Sequence, residues 1–158
     1  MPDIAKLLVK ARRSGGSAAS RLRLAVGSQT GPAVSGLPTS DAGYNADLSC
    51  PLPAGCPGTA VTVAVQADPC VSGASVVVEA NGATFRIVAP DPSWIVVPPR
   101  SVAANAPSTY LIPSGLNQRD NALKSAPVAV SLSGVAATSG TWTTVGSFAW
   151  LVPPYAEP

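Results

Sequence analysis

The sequence of 158 residues contains no histidine, and that absence removes more chemistry than any motif supplies. Histidine is the commonest general base, the usual partner of a nucleophilic serine and the commonest metal ligand. The acidic residues do not replace it, because they stand singly along the chain. The closest pair, Asp41 and Asp47, lies in a turn-rich stretch without the dense alternating oxygens and bidentate glutamate of a calcium loop. No serine occupies a nucleophile-elbow pattern, and no glycine-rich loop leads into a helix pattern. The expectation is a protein that is not an enzyme and that needs no cofactor and no metal.

Charge is scarce as well. Charged residues make up 11% of the chain, against about 25% in an ordinary domain. Hydrophobic residues reach 46%, so disorder through high charge is excluded, and the surface must be rich in small polar and apolar groups. Such a surface favours self-association. Long apolar runs are missing too. None approaches the 18 or so residues of a membrane span, and Ile4 to Val9 is broken by Lys6 and closed by Lys10, so it does not read as a signal peptide. A location in the cytoplasm where the chain is made, and then in an assembled particle, follows as an expectation.

Three cysteines are present, an odd number. Cys50 and Cys56 flank a short Pro/Gly-containing loop and are a candidate disulfide pair. Pairings with Cys70 are equally permitted, and three buried thiols are the alternative in a reducing compartment. A zinc site would lack its fourth ligand.

What the chain does have is punctuation. Seventeen prolines and fourteen glycines separate short runs of strand formers, which predicts an all-β fold. The strongest local signal is Ser75-Val76-Val77-Val78-Glu79-Ala80-Asn81-Gly82-Ala83-Thr84-Phe85-Arg86-Ile87-Val88. Asn-Gly between two strand-forming runs predicts a hairpin with a two-residue turn. Its register would pair Ala80 with Ala83, Val78 with Phe85 and Val76 with Ile87, with those six side chains on one apolar face and Val77 and Glu79 on the other. Further strands are predicted at residues 61–65, 94–97, 109–112, 128–132 and 141–152, and residues 117–121 read as a polar surface loop. The fold class expected is an antiparallel β-sandwich, jelly-roll or immunoglobulin-like.

The basic residues are concentrated at one end. Lys6, Lys10, Arg12, Arg13, Arg21 and Arg23 lie within residues 1–23, against a single acid, Asp3. Ile4, Leu7, Leu8 and Ala11 recur at helical spacing, which predicts a short amphipathic helix over residues 3–13, capped by Asp3 and stopped by Ser14-Gly15-Gly16. A small-residue linker leads to Arg21-Leu22-Arg23-Leu24-Ala25-Val26, whose alternation predicts a strand. Three segments are therefore expected: a basic arm over residues 1–26, a Pro/Gly-rich extended stretch over 27–60, and a β body over 61–158.

An arm of this kind fits docking on a neighbouring subunit through Ile4, Leu7 and Leu8, with Lys6, Lys10, Arg12, Arg13, Arg21 and Arg23 around them. The functional expectation is a structural protein of a self-assembling particle: a phage or virus capsid, decoration or tail subunit in the virion. Its partners would be copies of itself or a major capsid or tail protein. Nucleic acid is a weaker candidate, since the basic residues lack interleaved aromatics, and a membrane is weaker still. The alternative is an extracellular binding module, adhesin-like, pilus-like or carbohydrate-binding, in which Trp94 or Tyr110 stacks on a sugar.

Overall fold

A computed structural model of the chain describes residues 3–15, 18–80, 83–88 and 128–152. Residues 3–13 do not form the expected helix. Ile4–Ser14 is a strand, β1, in which Ala5, Leu7, Val9 and Ala11 are buried and the residues between them face outward. Both periodicities coexist in this stretch; Ala5 and Val9 complete the period of two. An isolated helix of eleven residues is marginal in water, whereas a strand here gains partners on both sides. Leu7 pairs with Leu48 on one side and Phe85 on the other.

The remaining strands are β2 (Arg21–Val26), β3 (Gln29–Thr30), β4 (Ala46–Pro51), β5 (Ala60–Asp68), β6 (Ser75–Glu79), β7 (Ala83–Val88), β8 (Val128–Val130), β9 (Ser133–Ala136) and β10 (Thr143–Leu151). Among the described residues the fold is all-β, and every strand pairing is antiparallel. One sheet runs β8-β7-β1-β6-β9 with β4 against β1; the other runs β10-β5-β2-β3. The expected separation of residues 1–26 from the body is therefore replaced by integration, because β1 lies inside the first sheet and β2 inside the second. No described helix is long and apolar enough to cross a membrane.

The expected hairpin is corrected in the same way. β6 and β7 each pair antiparallel with β1, so they run in the same direction and act as one interrupted strand. Lys10 faces Glu79 and Leu7 faces Phe85, so three steps along β1 span six along its neighbour. The two strands are thus offset by three surplus residues, and both lie along β1 rather than against each other. Val78 lies between Ala11 and Gly134, not opposite Phe85. Yet Val76, Val78, Ala80, Phe85 and Ile87 are all buried, as anticipated. An odd insertion switches side-chain parity just as the proposed hairpin register would, so the faces survive while the pairing does not. Asn81 and Gly82 lie outside the described residues, as do the predicted strands at 94–97 and 109–112 and the loop at 117–121.

β4 emerges from the stretch expected to be irregular. Ala46, Leu48 and Cys50 are buried and alternate with Asp47 and Ser49. Beyond Val9 its role along β1 passes to side chains and loop backbone. The Asn45 amide donates to Ala11 O and accepts from Ala11 N, both at 2.9 Å, and Arg13 N donates to Pro38 O at 2.8 Å.

One apolar core is shared by both sheets. Its aromatic centre joins β7 to β10: Phe85 meets Phe148 and Trp150 edge to face, with ring centroids 5.2 and 4.9 Å apart. Each such pair is worth about 0.5–1.5 kcal/mol beyond the area it buries. Two glycines mark where sheet edges converge. A Cβ at Gly31 would lie 1.6 Å from Ser49 O, and one at Gly134 would lie 1.9 Å from Val145 O. Those approaches exclude any side chain.

Candidate functional site

The nine residues singled out as a docking arm are divided between opposite surfaces. Ile4, Lys6, Leu8, Lys10 and Arg12 alternate outward along β1, whereas Leu7 is fully buried in the core. Arg13 is tied down, its Nε donating to Leu37 O at 3.0 Å and its guanidinium also to Gly15 O. Arg21 and Arg23 stand on the outer face of the second sheet.

The outer face of the first sheet mixes charge with exposed apolar groups. Leu8 is 40% exposed, Tyr44 43% and Val135 58%. Register places Arg12, Val77 and Val135 side by side across β1, β6 and β9. Lys6 forms an ion pair with Asp47 at 3.0 Å on β4, a surface pair worth under about 1 kcal/mol. Lys10 lies over the Tyr44 ring, 5.1 Å from its centroid. On the same face is an open hollow of about 170 Å³ lined by Lys10, Ala11, Arg12, Asp41, Val77 and Glu79. It has walls of both charges and an apolar floor. This suits a protein side chain better than a phosphate backbone, which would meet Asp41 and Glu79.

The outer face of the second sheet is closed upon itself. Arg21 and Arg23 both lie over the Trp142 ring, at 4.5 and 4.3 Å. Arg21 pairs with Asp68 at 3.3 Å, and Arg23 Nε donates to Gln66 Oε1 at 2.8 Å. The Asp68 carboxylate is buried and also accepts from Cys70 N at 2.8 Å and Gly140 N at 3.0 Å. Burial alone would raise its pKa. The two amides and Arg21 outweigh that, so the carboxyl is held below its ordinary 3.8.

All three cysteines are free thiols. The bridge considered between Cys50 and Cys56 is not formed: Cys50 is buried within β4 and Cys56 in the loop before β5. Burial pushes the Cys50 thiol up to about 11, against partial offsets from the Val26 amide and Arg23. The Cys56 thiol is raised for the same reason. Among the described residues no group of three or more acidic or cysteine side chains is placed to hold a metal.

Tyr44, Asp47, Val135 and Trp142 were not among the sequence candidates. Asp47 carried a signal, its alternation with Leu48, that the surrounding prolines and glycines obscured. Trp142 lies against Arg21 and Arg23, whereas Trp150 on the same strand candidate is in the core, at 1% exposure. Trp94 and Tyr110 lie outside the described residues. The chain matches no family model, no curated protein and no solved structure.

Proposed function

We propose that the protein is a non-enzymatic structural subunit of a self-assembling particle, a capsid, decoration or tail protein of a phage or virus, located in the virion. The observation that carries this reading is the outer face of the first sheet, with Leu8, Tyr44 and Val135 in solvent beside Lys10 and Arg12. Exposed apolar groups on a sheet face that also carries a mixed-charge hollow suit the centre of a protein contact. In this reading the two sheets form an antiparallel sandwich and the N-terminal residues dock, as expected, but as the outward side of an internal strand. The interior place of β1 among the described strands weighs against an immunoglobulin-like order, whose first strand lies at a sheet edge.

The partners are further copies of the chain or a major capsid or tail protein. Nucleic acid is less favoured, because Lys6 and Arg21 are paired with carboxylates and the basic residues divide between two surfaces. Mass determination in solution, at low and high salt and with and without nucleic acid, tests the proposal. Salt-resistant assemblies that Leu8→Asp or Val135→Asp reduces to smaller species support it. Assemblies that form only with nucleic acid and dissolve with salt would replace it with a genome-binding role.

A further inference from the structure

β10 is paired along one side only. Among the described residues β5 is its sole ladder partner; β9 approaches β10 only around Val145, where Gly134 meets it, and forms no ladder with residues 147–151. Which amides face that edge follows from the neighbouring bonds. Thr62 O accepts from Gly27 N on the β2 side, and Val152 N donates to Thr59 O on the β5 side. Antiparallel ladders alternate, and Ala149 lies opposite Thr62, so the backbone groups of Ser147, Ala149 and Leu151 point away from β5. Natural sheet edges are guarded by lysine, proline or a bulge within the exposed stretch. Here the bulge lies between Thr144 and Gly146, near the approach of Gly134. From Ser147 to Leu151 there is neither charge nor proline, only Ser147, Ala149 and Leu151 alternating with the core residues Phe148 and Trp150.

We infer that this edge pairs with the same edge of a second copy, β10 against β10, making one sheet continuous across a two-fold axis. An extended strand is the one partner that satisfies a row of alternating donors and acceptors. A second copy fits because the segment is self-complementary: it brings no like charges together, and small Ala149 sits where the two chains cross. Pairing Ala149 with itself and Ser147 with Leu151 supplies about six hydrogen bonds, two for each outward pair. The contact is isologous and closes at two. It rests on reading the chain as an assembling subunit, and adds an edge contact separate from the face around Leu8.

The test is the mass of the purified chain over a dilution series. A dimer that dissociates on dilution is expected, given the modest contact. Ala149→Pro, which removes one outward N–H without touching the β5 ladder, should give a monomer. Ala149→Lys and Ala149→Glu should each be monomeric alone, and mixing them should restore the dimer; such rescue excludes misfolding as the cause. A wild-type chain monomeric at about 1 mM, a concentration at which even a 4 kcal/mol contact is half formed, would overturn the inference, as would undiminished dimers of Ala149→Lys. Larger assemblies that persist in Ala149→Lys but are lost in Leu8→Asp would remove the edge and leave the particle reading standing. A dimer that never assembles further would do the reverse.

Discussion

The two outer faces of this molecule use similar residues to opposite ends. On the second sheet Arg21 and Arg23 are consumed by Asp68, Gln66 and the Trp142 ring. On the first, Lys10 and Arg12 border an open hollow next to exposed Leu8 and Val135. Both faces come from alternating basic and apolar residues close together in the chain. What separates them is the neighbour that register supplies: β5 brings a buried carboxylate to Arg21, whereas β6 and β9 bring Val77 and Val135 to Arg12. Basic charge near the N-terminus is therefore a bracing device on one side and part of a contact surface on the other.

The largest expected effect comes from removing a strand of each face at once. Deleting residues 1–26 takes β1 and β2 from the interiors of the two sheets, and the remainder should show neither a cooperative melt nor dispersed amide resonances. A folded remnant would mean that the N-terminal strands are appendages after all. Next, Gly134→Ala would place a Cβ against the Val145 carbonyl where the sheets converge. A loss of about 2–4 kcal/mol in denaturant unfolding is expected, since backbone must move.

Asp68→Ala strips the acceptor from two amides and from Arg21. It should cost about 1–3 kcal/mol while leaving assembly through the first face intact. Because the folded pKa of Asp68 lies below its ordinary 3.8, its contribution is present above that value and is lost as pH falls through the depressed one. Asp68→Asn should flatten that part of the acid profile, and an unchanged profile would remove Asp68 from the account. Cys50 acts at the other end of the scale. Its thiol is raised from 9.0 to about 11, so its neutral form favours the fold below pH 9, and that support disappears as pH climbs towards 11. Native alkylation should accordingly spare Cys50 and modify it only on unfolding. The smallest effect on stability, within about 0.5 kcal/mol, belongs to Val135→Asp, 58% exposed on β9 at the end of the first sheet. Its consequence should appear in assembly alone, and that separation is the sharpest contrast between the faces.

Much of the architecture was legible in the residues. Alternation in residues 21–26, 61–65 and 141–152, bounded by Gly and Pro, marked β2, β5 and β10, and Val76, Val78, Ala80, Phe85 and Ile87 are buried as the apolar face anticipated. β4 was missed because a six-residue strand embedded between Gly43 and Pro53 looks locally like loop. Of the candidate surface, Lys6, Leu8, Lys10 and Arg12 were foreseen as residues but on a helix. Tyr44 and Val135 come from distant segments and carried no local mark.

The sequence by itself determined a β-rich body, weak charge and the absence of histidine chemistry, because side-chain parity, backbone breakers and residue types are local properties. Only the tertiary structure decided that residues 4–14 extend rather than coil, that β6 and β7 both flank β1 instead of pairing with each other, and that Arg21 finds Asp68. Each of those outcomes depends on which strand lies alongside. That choice is made by burying both sheets' apolar faces in one core, and no short window of sequence contains it.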